Sequence, residues 1–73
     1  MPERVCKISY IIVLGSYTCL YTELALLTAE EQRQMWVDFY QSKKGMKIGD
    51  TINVNDNITL YREKKMTYIY TLR

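Results

Sequence analysis

The chain has 73 residues, no histidine, two cysteines and a formal net charge of +2. A domain this short buries only roughly 60% of the surface its unfolded chain exposes, so a disulfide, a structural metal or oligomerisation usually supplements its core. With Cys6 and Cys19 as the only soft ligands, a structural zinc is excluded, and the absence of histidine excludes Ser–His and Cys–His nucleophile arrangements.

The first predicted element is a hairpin. "ISYIIVLGSYTCLYTELALL" reads as two extended runs around Gly15-Ser16, and glycine at the first central position suits a two-residue type II′ turn. That register sets Leu14 against Tyr17, Ile12 against Cys19 and Tyr10 against Tyr21, with Cys6 opposite Ala25. The cysteines are then on the order of 20 Å apart along the strands, too far for an intrachain disulfide. Both are expected to be reduced and packed, as in a cytoplasmic protein. The apolar run from Ile8 to Leu14 is too short to span a bilayer and no small-residue cleavage site follows it, so no membrane anchor or export signal is expected.

One face of this hairpin collects Cys6, Ile8, Tyr10, Ile12, Leu14, Tyr17, Cys19 and Tyr21, the other Val5, Ile11, Val13, Leu20, Leu24 and Leu26. A sheet with one solvated face alternates apolar and polar positions, and one helix covers one face. A second copy of the chain is the simplest cover for the other, so a homodimer or larger symmetric assembly is expected, with Tyr10, Ile12, Cys19 and Tyr21 as its candidate interface.

A helix is predicted next, from about Ala29 to Lys44. Thr28 and Glu31 form a capping box, Glu30 and Glu31 sit in the first turn, Lys43 and Lys44 in the last, and Gly45 supplies the left-handed stop. Ala29, Gln32, Met35, Trp36, Phe39 and Tyr40 share its apolar side, with Arg33, Gln34, Asp38 and Gln41 elsewhere.

After the helix, "TINV", "ITLYRE" and "MTYIYTLR" are extended runs rich in β-branched residues and tyrosine. Glu63, Lys64 and Lys65 turn the last two back on each other. "TINV" is either a separate short strand or the start of the third one. The fold class is α+β: residues 1–73 as a single domain, a small antiparallel sheet in the order strand, strand, helix, strand, strand, with one amphipathic helix packed on one face.

Asn53, Asn55, Asp56 and Asn57 cluster between two of these runs. Their alternate spacing imitates a calcium loop, but such a loop needs an acid first, glycine sixth and glutamate twelfth, where this chain has Asn53, Ile58 and Lys64. A strand-to-strand bend explains the cluster, since Asn and Asp hydrogen-bond to nearby backbone. Gly15, Gly45 and Gly49 are isolated, so no phosphate-cradling loop exists. No metal, cofactor or enzymatic activity is expected.

Charge separates along the chain: residues 1–42 balance at −2 and residues 43–73 at +4. Lys43, Lys44 and Lys47 follow the helix, and Arg62, Lys64 and Lys65 mark the last hairpin tip, interleaved with Tyr61, Tyr68 and Tyr70. These nine residues form the candidate binding surface. Bases and tyrosines on a sheet are suited to single-stranded nucleic acid through phosphate contact and stacking; alternatively the lysines solvate a hairpin tip and the tyrosines cover core or a dimer interface, where tyrosine is enriched.

From Trp36 through "GMKIGDTINVNDNITLYRE", a Gly-ended helix leads into an Asn-bearing extended stretch. With the compact element order, this half of the chain resembles small accessory proteins encoded by bacteriophages and mobile elements of Gram-positive bacteria. The resemblance implies a viral protein that binds and inhibits or modulates a host or defence component in the host cytoplasm. The expected function is therefore a non-enzymatic interaction protein acting as a homo-oligomer. The alternatives are a small single-stranded nucleic-acid binder and a protein that sequesters a nucleotide signal by tyrosine stacking.

Overall fold

The computed structural model describes residues 3–9 and 27–73. Its elements are β1 (Arg4–Ser9), α1 (Ala29–Ser42), β2 (Thr51–Asn55), β3 (Ile58–Lys64) and β4 (Thr67–Leu72). The strands form an antiparallel sheet in the order β1-β4-β3-β2, with α1 packed against it. This is the expected α+β architecture. "TINV" belongs to a separate strand, and the Lys65-Met66 pair makes the last turn, so Glu63 and Lys64 complete β3. The second arm of the predicted first hairpin lies outside the described residues, as do Tyr10, Ile12, Cys19 and Tyr21.

Strand alternation sorts the side chains. One row across all four strands is Cys6, Tyr70, Leu60 and Ile52, and with Ile8, Ile58 and Tyr68 it faces the helix. Met35 and Phe39 of α1, Leu27 before it and Met46 after it close the core. Phe39 meets the Tyr68 ring edge to face at 4.9 Å between centroids, a favoured aromatic geometry. Cys6 is buried among them. On the opposite face run Lys7, Ile69, Tyr61 and Thr51 in one row, and Val5, Thr71, Thr59 and Asn53 in the next. Among the described residues that face mixes polar and apolar groups. The expected two-sided apolarity is therefore not seen in β1, where Lys7 and Ser9 alternate with the core residues.

The helix begins as its sequence dictates. The Glu31 N–H donates to Thr28 Oγ1 at 3.1 Å, and the Thr28 N–H donates to Glu31 Oε1 at 3.0 Å, which satisfies two of the orphan donors of the first turn. Its other end falls short of the expectation. The last helical residue is Ser42, and the Lys43 N–H closes the ladder onto the Phe39 carbonyl. Lys43 and Lys44 therefore follow the helix, where their charge still complements the C-terminal dipole. Gly45 takes the left-handed conformation, φ +80°, and turns the chain away.

The buried side of α1 is also rotated from the expected stripe. Met35, Asp38 and Phe39 point inward, while Tyr40 is 42% exposed and Ala29 is exposed. Asp38 can be buried because both its oxygens are paired: Oδ2 accepts the Tyr70 hydroxyl at 2.8 Å and Oδ1 the Gln34 amide at 2.9 Å. Loss of one such partner leaves a buried acceptor unsatisfied, at a cost of about 1–3 kcal/mol. Burial, reinforced by the Asp38 carboxylate, pushes the Tyr70 hydroxyl well above the ordinary tyrosine range. It therefore stays a proton donor to Asp38.

The helix start is tied to the sheet through Arg4, whose Nη1 and Nη2 donate to the two oxygens of Glu31 at 2.7 Å each. This bidentate pair, with the Thr28 N–H, holds the Glu31 carboxyl down at about 2 from an ordinary 4.5. The folded value lies below the unfolded one, so the stabilisation is fully present above pH 4.5 and is lost as pH falls toward 2. Denaturant titrations of the wild type should show this loss in that window. Glu31→Gln should remove the pH-dependent component while leaving a folded, less stable protein.

Candidate functional site

The nine residues of the predicted surface divide into two groups. Tyr68 and Tyr70, each only 2% exposed, lie under the helix. They share the parity of Ile8, Cys6 and Leu60 in the ladder, and each tyrosine lends the core an apolar ring body. Neither offers a ring for stacking. Tyr61 is 38% exposed but points to the opposite face, in the row with Ile69 and Thr51. The row of tyrosines expected beside the bases is thus not a contiguous surface.

The bases, by contrast, come together. Arg62 Nη1 donates to the Met46 carbonyl in the loop after the helix, and Nη2 donates to the Lys65 carbonyl at the hairpin tip, at 2.8 Å. One planar guanidinium spans both segments, a geometry that its fixed fork of donors allows and a lysine cannot reproduce. The guanidinium carbon lies 5.5 Å from the centre of the Tyr68 ring, so the brace rests on the core. Its backbone contributes as well: the Arg62 N–H donates to the Asp50 carbonyl at 2.9 Å, and the Arg62 carbonyl accepts from Gly49 at 2.7 Å. Arg62 is therefore a structural brace for the surface around it.

The loop between helix and sheet is fixed from inside by Met46, which is buried, and from outside by Asp50. The Asp50 carboxylate accepts the Lys47 N–H at 2.9 Å, and its own N–H donates to the Lys47 carbonyl at 2.9 Å. Gly49 takes φ +93°, the left-handed region glycine enters without strain. Lys44, Lys47, Lys64 and Lys65 are exposed around this brace. Among the described residues no ion pair engages any of the four. Lys43 is half-buried with its Nζ 5.1 Å from the centre of the Tyr40 ring. Five lysines thus lie on or beside the two segments that Arg62 joins, with the acids Asp50 and Glu63 among them.

Three apolar side chains are exposed at this end: Ile48 at 62%, Met66 at 41% and Tyr40 at 42%. Sequence reasoning passed over Ile48 and Met66. Their signal was an apolar residue flanked by bases or at a turn, as in "KIGD" and "KKMT", where exposure is the expectation.

The Asn cluster occupies the other end of the sheet. Asp56 and Asn57 form the two-residue turn between β2 and β3, and the Asn57 N–H donates to Asn55 Oδ1 at 2.8 Å. An open concavity of about 310 Å³ beside it is lined by Asn53, Asn55, Asp56 and Arg73. Asp56 is the only acidic side chain in this lining, and the Arg73 guanidinium beside it disfavours a cation. The bend predicted from the sequence is what the structure shows.

No protein-family model, curated protein or solved structure matches the chain. Among the described residues no helix is long and apolar enough to cross a membrane.

The brace makes a direct prediction. Arg62→Ala should speed amide hydrogen exchange in both residues 46–50 and 64–66, by about tenfold or more given hydrogen bonds to a charged group worth about 1.5–3 kcal/mol each. Arg62→Lys should rescue at most one of the two segments.

Proposed function

We propose that the chain is a small non-catalytic interaction protein, acting as a homo-oligomer, that binds and modulates a larger protein through the basic end described above. The observation that carries this reading is the convergence of Lys43, Lys44, Lys47, Lys64 and Lys65 around the Arg62 brace. The sequence contributes the rest. A chain without histidine lacks the common general base, and the apolar pattern that the sequence carries beyond β1, in residues 10–26, calls for a partner surface. The phage and mobile-element accessory proteins that the chain resembles supply the class of partner: a host or defence component in the host cytoplasm.

A second reading, binding of single-stranded nucleic acid, draws on the same lysines through phosphate contact. Burial of Tyr68 and Tyr70 weakens it, because stacking platforms supply much of the affinity of such proteins. Nucleotide sequestration loses the same two rings.

Two measurements test the proposal together. Light scattering should give a multiple of the monomer mass at micromolar concentration. Affinity capture from a host lysate should retain one stoichiometric protein on the wild type and lose it on Lys44→Glu/Lys65→Glu. A monomer that retains nothing contradicts the reading.

A further inference from the structure

The basic end carries more than charge. Beside the Arg62 brace, an exposed apolar side chain follows an exposed lysine twice: Ile48 after Lys47, and Met66 after Lys65. The carbonyls of Met46 and Lys65 share one guanidinium, so these two apolar positions, each within two residues of a braced carbonyl, belong to the same end. Tyr40 adds an exposed ring at the last helical turn, with the Lys43 Nζ set against it.

From this juxtaposition we infer that the helix exit and the β3–β4 turn together dock an acidic amphipathic segment of a partner protein, its carboxylates meeting the lysines and its apolar side chains covering Ile48 and Met66. The inference rests on the protein-binding reading above and specifies the partner's chemistry. Charge complementarity sets the sign of the partner, since Lys44, Lys47, Lys64 and Lys65 are exposed and engaged in no ion pair among the described residues. The aliphatic residues set its class. Bases stack on flat π-faces, which Ile48 and Met66 do not have. An apolar peptide side chain gains from covering them, because burial of apolar area is the general driving force of association. Methionine in particular adapts its shape to varied peptide surfaces.

The C-terminal end of α1 presents partial negative charge, which by itself disfavours a partner carboxylate, so the attraction for one comes from Lys44, Lys47, Lys64 and Lys65. The occupant so defined is a short segment with acids on one side and leucine-like residues on the other, amphipathic segments being a recurrent class of peptide ligand.

The test uses the full chain and three fluorescent probes: a designed helical peptide with glutamates on one face and leucines on the other, the same peptide with serine in place of leucine, and oligo-dT. The Glu/Leu peptide should bind at low salt about tenfold or more tighter than the Glu/Ser peptide and tighter than oligo-dT. Ile48→Ser/Met66→Ser should abolish the difference between the two peptides. Lys44→Glu/Lys65→Glu should weaken both. All four positions are exposed, and circular dichroism melts should show both variants folded. Oligo-dT as the tightest ligand overturns the inference in favour of nucleic acid. Equal binding of the two peptides, or none, overturns it as well, whereas the wider protein-binding reading falls only if the lysate capture also retains nothing.

Discussion

The Arg62 guanidinium is the contact on which the proposed surface depends. Two chain segments that the strand ladder does not pair with each other, the loop after the helix and the β3–β4 turn, end on the same side chain. A backbone carbonyl left without a donor at such a junction either turns to water or lets its segment move. Here two carbonyls are engaged at once by a group that is always charged, and charge-assisted hydrogen bonds are the stronger kind. The register shift between Arg62 and Lys64 lies at the same place. A bulge there bends β3 and re-aims its side chains. The local irregularity and the brace together determine how the lysines of two distant segments face solvent.

The opposite end is held by different chemistry. Arg4 and Glu31 tie β1 to the first turn of α1, and the capping box fixes that turn. Between the two ends the helix lies on a core of modest size, in which Asp38 and Tyr70 contribute one buried polar contact. That contact sets the rotation of the helix about its own axis. An apolar residue in place of Asp38 would tolerate several rotations. A carboxylate that must meet a particular hydroxyl accepts far fewer, at the risk of a costly unpaired group if the match fails. Helix orientation in turn decides that Tyr40 and Lys43 reach the basic end.

Local signals carried much of this fold. Thr28 with Glu31 marked the helix start, Gly45 the turn beyond it, and the Asn-Asp-Asn cluster a bend, because in each case the bonding partners lie within a few residues. What was illegible depends on distant partners. The apolar stripe of α1 was read through Trp36 and Tyr40, and its shift toward Asp38 requires the Tyr70 hydroxyl, 32 residues away. Tyr68 and Tyr70 were open to two readings, a stacking surface or cover for the core. Period-two alternation leaves two phases open, tyrosine suits both, and only pairing with Leu60 and Cys6 selects the buried one. The placement of β1 beside β4 is likewise a long-range pairing that no local spacing announces. Of the proposed surface, the lysines were readable as a charge cluster in the second half of the chain. The brace that unites them was not, since an arginine that serves two carbonyls looks in sequence like any other base.

The central claim is that helix exit and hairpin tip form one recognition surface. Mapping of backbone amide shifts by NMR during titration with the acidic Glu/Leu peptide tests it most directly. Joint movement of the amides of residues 43–48 and 64–66, with one common dissociation constant, is the predicted result. Shifts confined to one of the two segments, or spread over the Lys7, Tyr61 and Ile69 face of the sheet, would contradict it.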